Sequence, residues 1–213
     1  MTNSQAANDL ESPARQLNAA LSNPANSTKE GDFFLASLAR LKRDCVVGGV
    51  AYIYSKIAAP GVIDHYKKGA VAIGELMGHE SERLLQIRDL FAAAGIPCHL
   101  SKDIRRSKWE KMCWNCVFNP ITVLINDRVA KALDHPEMMQ VIRQIVGEIM
   151  AVSASMKVPL PADMTERVVK ATQEIRDIHT SMYDDWKAGR QTEIAYLNGY
   201  VAHKGRELGI PTP

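Results

Sequence analysis

Twenty residues constrain this chain more than any others. Ser107 to Asn126, SKWEKMCWNCVFNPITVLIN, carries Met112, Cys113, Trp114, Cys116, Val117, Phe118, Ile121, Val123 and Leu124, interleaved with Lys108, Lys111, Asn115, Asn119, Thr122 and Asn126. At ~100° per residue the polar set falls within one arc of about 80°, and the apolar set takes the rest of the circumference. A surface helix has the reverse proportions, a wide polar face and a narrower apolar stripe. The spacing predicts a helix buried over most of its surface.

Such a helix needs partners for its stripe, because a buried amide without a hydrogen bond costs about 1–3 kcal/mol and an unpaired charge costs more. Either a ligand meets these groups, or a solvated strip and a network to neighbouring helices do. Asn is also a poor helix former, so propensity does not explain Asn115 and Asn119. Pro120 removes one backbone N–H and predicts a kink beside the stripe, with the carbonyl near Cys116 left without its usual donor.

Elsewhere the pattern divides the chain near residue 102. Ser12-Pro13 predicts a short helix to about Leu21, and Asp32 to Arg43 repeats apolar residues at helical spacing. Cys45–Tyr54 and Val62–Glu75 are β-branched and read as strands around an Ala59-Pro60-Gly61 turn, the second interrupted by Lys67-Lys68-Gly69. A helix at about Glu80–Ala94 stops at Gly95, before an extended piece from Ile96 to Leu100. Further helices are predicted at about Ile104–Asn126, Pro136–Lys157, Ala162–Trp186 and Thr192–Leu208. The organisation read from this is a polar segment at 1–29, a partial α/β region at 30–101 and an all-α domain at 102–213.

With 26 Lys plus Arg against 24 Asp plus Glu, the chain has no electrostatic footprint for nucleic acid. It has no apolar run of the ~18 residues that cross a membrane, and its first residues lack a signal-peptide pattern, so it reads as cytoplasmic. Four cysteines make no disulfide framework, and Cys113-Trp114-Asn115-Cys116 reads as buried helix rather than a redox motif. The six histidines form no i, i+4 ligand pair, so no metal is implied. In Met182–Tyr200, Gly189 breaks the chain and Thr192 is placed to cap a helix in which Glu193 begins the inward stripe, although an acid in a first turn is common.

Lys108-Trp109-Glu110-Lys111, Asn115-x-x-x-Asn119-Pro120-x-Thr122, and the late run Ser181-Met182, Asp185, Ala188-Gly189-Arg190, Thr192-Glu193-Ile194, Asn198-Gly199 and Gly209-Ile210-Pro211 resemble the C-terminal domain of ketopantoate reductase (2-dehydropantoate 2-reductase). The similarity extends more weakly through Val47-Gly48-Gly49-Val50-Ala51 and Pro60-Gly61 to about Cys45. It implies a mainly α fold: the end of a Rossmann-like α/β domain, then an all-α domain of the 6-phosphogluconate dehydrogenase C-terminal-like type that binds substrate and pairs as a homodimer. It implies NADPH-dependent reduction of ketopantoate to pantoate, in pantothenate and coenzyme A biosynthesis. By motif position, Lys111 is the general acid at the ketone oxygen and Glu193 bonds a substrate hydroxyl. Asn115 and Asn119 orient the substrate, and Ser181 touches its far end.

The cofactor side reads differently. None of the 13 glycines is separated from another by a single residue, so G-x-G-x-x-G is absent and no cofactor-binding residue is assigned. Little or no activity is expected from the isolated chain. The alternative from another functional class is a non-enzymatic helical module that binds a small carboxylate or serves in assembly. Sheet edges left by a partial α/β region also predict association with another chain.

Overall fold

The computed structural model describes residues 46–213, apart from the side chains of Tyr66 and Lys68. The helices expected at about 12–21 and 32–43 lie outside the described residues. Strands β1 (Val47–Ala59) and β2 (Val62–Glu75) meet at Pro60-Gly61, and with a short β3 (Cys98–Leu100) they form, among the described residues, a sheet of order β1-β2-β3. Gly61 adopts φ +76°, which with proline before it suits a type II turn. β2 is continuous through Lys67-Lys68-Gly69, unlike the expectation. A Cβ on Gly69 would lie 2.6 Å from the Tyr52 carbonyl, so glycine here permits close approach of the paired strand instead of breaking it.

β2 and β3 run parallel, with Val71 opposite Cys98 and Ile73 opposite Leu100. Helix α1 (Glu82–Ala93) makes the crossover that parallel pairing requires. At its start Glu75 is a buried carboxylate, 3% exposed. Arg83 grips both its oxygens, with Nε donating to Oε1 at 2.7 Å and Nη2 donating to Oε2, and Ser81 Oγ donates to Oε1 at 2.5 Å. The Arg83 hydrogen bonds hold the Glu75 carboxyl at about 2, well below the usual carboxylate range.

A stability prediction follows from that depressed value. Because the folded value lies below the 4.5 of the free group, the contribution is complete above pH 4.5 and is lost as pH falls toward 2. Glu75→Gln is expected to cost about 2–3 kcal/mol near neutrality, at or below the low end for a broken buried pair because Arg83 is 36% exposed. Urea melts at pH 7 and pH 3 check it: the two proteins should differ less at the lower pH.

The helical region is built around α2 (Ile104–Ile125), capped at its start by Asp103, whose Oδ1 accepts from Arg106 N at 3.0 Å, and closed by Asn126 at φ 53°. Around it lie α3 (Val129–Asp134), α4 (Pro136–Ser155), α5 (Met164–Gln173), α6 (Ser181–Lys187), a 3-10 turn at Glu193–Ala195 and α7 (Asn198–Leu208). Trp109, Cys113, Cys116, Val117, Phe118 and Ile121 of α2 share one core with Ile142, Val146 and Ile149 of α4 and Val201 of α7. The inverted amphipathic pattern thus has its expected consequence. Among the described residues no helix is long and apolar enough to cross a membrane.

The single helix expected over Ala162–Trp186 is two, α5 and α6, separated by Glu174–Thr180. The carbonyls of Ile178 and Arg176 accept from Val129 N at 3.2 Å and Ala130 N at 2.8 Å, the otherwise unpaired first N–H groups of α3. Tertiary demand for those carbonyls replaces their helical bonds. Thr180 Oγ1 then lies 2.8 Å from Thr122 Oγ1, which pins the start of α6 to α2.

Candidate active site

The six polar residues of the α2 stripe separate by environment. Lys108 is exposed. Thr122 is fully buried in the pair with Thr180 and also donates to Asn119 O at 3.0 Å, while exposed Asn126 accepts from the Tyr183 hydroxyl at 3.2 Å. For those two the internal-network alternative holds. Lys111, half-buried Asn115 and buried Asn119 remain, at successive intervals of four along one face. Asn119 is 2% exposed, yet neither its carboxamide nor that of Asn115 hydrogen-bonds to a described residue.

Lys111 is half-buried and reaches β1. Its Nζ donates to the Ala51 carbonyl at 2.6 Å and lies 5.9 Å from the centroid of the Tyr52 ring. Burial pushes the ammonium below the ordinary lysine value, and the nearby charge of Glu193 pulls it back up. No direct ion pair joins the two among the described residues. Burial, followed by the Glu110 charge, raises the Tyr52 phenol above its ordinary value. The ammonium therefore has one fixed acceptor, one aromatic neighbour and donor capacity left over.

Glu193 departs from the expectation of an inward-pointing carboxylate on a regular helix. It stands exposed at the start of the 3-10 turn, and α7 begins only at Asn198. Helical spacing does not apply across that turn, so the inferred direction is lost while the electrostatic tie to Lys111 remains. Ser181 is exposed, the residue after Thr180, and so lies beside the Thr122 contact one turn beyond Asn119. The structure thus gathers Lys111, Asn115 and Asn119 on one face, couples Glu193 to Lys111 and leaves Ser181 at the α6 end.

Two contributors carry no signal in the sequence that marks them as site residues. The β1 segment Ala51-Tyr52 has the pattern of a strand, and nothing in its alternation points to Lys111. Asn198, noted only within a motif, donates from Nδ2 to the Cys116 carbonyl at 2.9 Å. That is the carbonyl Pro120 was expected to free. Cys113 and Cys116 are buried, and desolvation pushes both thiols up to about 12, opposite to a redox thiolate.

Residues 103–213 match the family model described as the ketopantoate reductase PanE/ApbA C-terminal domain. The chain belongs to this family. The 2-dehydropantoate 2-reductase of Mesorhizobium japonicum is 31% identical over 168 residues, covering 79% of this chain and 51% of that protein. The crystal structure of 2-dehydropantoate 2-reductase from Methylococcus capsulatus superposes with a TM-score of 0.70 at 33% identity, covering 78% of this chain and 53% of that one. A dimeric ketopantoate reductase from Staphylococcus aureus shares the fold, with a TM-score of 0.67 at 24% identity, 79% of this chain and 57% of that one. The chain spans about half the length of the curated relatives it matches.

The fold is that of a ketopantoate reductase C-terminal domain preceded by a small sheet. A dinucleotide cradle needs a glycine-rich strand-to-helix turn that brings backbone N–H groups to the pyrophosphate. Among the described residues the strand-to-helix connection before α1 runs through Met77-Gly78-His79-Glu80-Ser81, and Ser81 and Arg83 are committed to Glu75. These residues do not fit the cofactor.

Proposed function

We propose that this chain carries the substrate half of an NADPH-dependent ketopantoate reductase, a cytoplasmic enzyme that forms pantoate for pantothenate and coenzyme A. The observation that carries the reading is the trio Lys111, Asn115 and Asn119: one ammonium and two carboxamides on a mostly buried helix, the amides without hydrogen-bond partners among the described residues. Ketopantoate offers a carboxylate, a ketone and a hydroxyl. Lys111 hydrogen-bonds the ketone oxygen and supplies its proton as negative charge develops there. Asn115 and Asn119 orient the substrate along the helix, Glu193 accepts from its hydroxyl, and Ser181 meets its far end.

The hydride donor in this reading is NADPH. No step is assigned to described residues on its behalf, since they offer no pyrophosphate cradle. Calorimetric titration separates the two halves: ketopantoate is expected to bind this chain saturably, and NADPH weakly if at all. Absence of ketopantoate binding overturns the reading, and tight NADPH binding overturns the assignment of the substrate half alone. The missing glycine-rich motif favours one second reading, a carboxylate-binding module without catalysis. Ketopantoate binding without NADPH turnover at high protein concentration would select it.

Association is part of the proposal. On the β1–β2 hairpin Ile57 is 80% exposed and Ile63 73% exposed, apolar area that a second copy would cover. Sedimentation is expected to give a homodimer, and a clean monomer at high concentration overturns that expectation.

A further inference from the structure

Pro120 takes an N–H out of α2, which leaves the Cys116 carbonyl without a donor from its own helix. Asn198 supplies that donor from 82 residues away: its Nδ2 lies 2.9 Å from Cys116 O, at the first residue of α7. The other end of the same amide, Oδ1, is buried with no hydrogen-bond partner among the described residues. The amide is thus fixed by its Nδ2 bond alone, at the cost of a buried acceptor left unmade.

What it joins are the two elements of the proposed site. Lys111, Asn115 and Asn119 belong to α2, with Cys116 among them. Glu193 belongs to the 3-10 turn that leads into Asn198. Between the two the chain is folded into a tight turn, in which Glu193 O accepts from Tyr196 N at 3.0 Å and Leu197 N at 3.1 Å. Beyond it Val201 enters the core, and Tyr200 meets Trp109 of α2 with ring centroids 6.2 Å apart.

We propose that Asn198 is a positioning residue: by occupying the carbonyl that Pro120 leaves open, it fastens the turn bearing Glu193 to the helix bearing Lys111 and sets how near the carboxylate stands to the ammonium. This rests on the pairing of Lys111 and Glu193 in the proposed function. Proline and asparagine act as one device, the first exposing an acceptor and the second using it as an anchor point. A helix with a regular residue at 120 would already give the Cys116 carbonyl a donor of its own, leaving only its second lone pair for Asn198.

The test reads Lys111 directly and needs no turnover. In protein labelled with ¹³C at the lysine ε-carbon, the Lys111 resonance is followed through its titration in wild type, Asn198→Leu, Glu193→Gln, the Asn198→Leu/Glu193→Gln double variant, and Pro120→Ala alone and with Asn198→Leu. Glu193→Gln is expected to lower the Lys111 titration point. Asn198→Leu is expected to move it the same way by less, and to add nothing once Glu193 is Gln. Pro120→Ala returns an N–H to the helix, so in the Asn198→Leu background it is expected to recover the melting temperature and leave the Lys111 shift in place. It also keeps that variant folded should Asn198→Leu alone fail to fold.

A Lys111 titration unchanged by Asn198→Leu overturns the positioning role. So does its return to the wild-type value in Pro120→Ala/Asn198→Leu, which would make Asn198 a cap for Cys116 and nothing more. If Glu193→Gln itself leaves Lys111 unmoved, the pairing beneath the proposed function fails and this inference fails with it.

Discussion

Phe118→Ala is expected to cost about 3–5 kcal/mol, the range for deleting a fully buried aromatic side chain. Phe118 is 0% exposed near the middle of α2, and its ring lies 5.4 Å, centroid to centroid, from that of Trp114. The surrounding residues come from helices already held to one another, so the cavity collapses only partly and the loss exceeds simple transfer to water. Trp114 is fixed separately, donating from Nε1 to Thr172 Oγ1 at 3.0 Å, and cannot swing into the gap without breaking that bond. Leu124→Ala, on the same helix but 82% exposed, is the control and is expected to stay within about 0.5 kcal/mol of wild type. Denaturant melts measure both. Equal losses would mean that α2 is not the centre of the core.

That contrast was only partly legible in the sequence. The periodicity of 107–126 identifies a helix that must be buried, and Phe118, Val117 and Ile121 follow from it. Leu124 belongs to the same apolar set by angle, yet it is exposed in the last turn before the Asn126 cap, while its neighbour Ile125 still packs against the core. Periodicity describes what a helix offers and says nothing of where its partners end. The break at Glu174–Thr180 has the same cause, since the carbonyls there are claimed by the start of α3, which no local pattern records. Helical spacing points Glu193 inward, and the 3-10 turn invalidates that arithmetic while its charge still acts on Lys111. Pro120 was the most informative single residue: loss of its N–H predicts an orphan acceptor near Cys116, and Asn198 is found there. Which residue would answer the orphan could not be read, because the partner lies 82 positions away.

Lys111→Met is expected to weaken ketopantoate binding by about 10–100-fold, since a charge-assisted hydrogen bond contributes roughly 1.5–3 kcal/mol. Methionine keeps the unbranched stem that packs by Tyr52 and removes only the ammonium, so thermal stability should stay near wild type. Any reductase turnover the chain supports is expected to fall by a further margin, about 10²–10⁴-fold, because the proposed proton donor is gone as well. Lys111→Arg divides the two roles. A guanidinium restores charge and donors and so recovers part of the affinity, but it holds its protons too tightly to release one to the substrate, and the rate should not return. The pH dependence carries the same logic. Lys111 must be charged to act as an acid, and burial sets its value below that of an ordinary lysine, so the rate is expected to fall as pH rises through that lowered value. Glu193→Gln removes the charge that opposes the lowering, and the alkaline limb should then move to lower pH. Calorimetry gives the affinities, and NADPH oxidation at high protein and NADPH concentration gives the rates. Wild-type affinity and rate in Lys111→Met would remove the ammonium from the site and leave Asn115 and Asn119 without a reaction to serve.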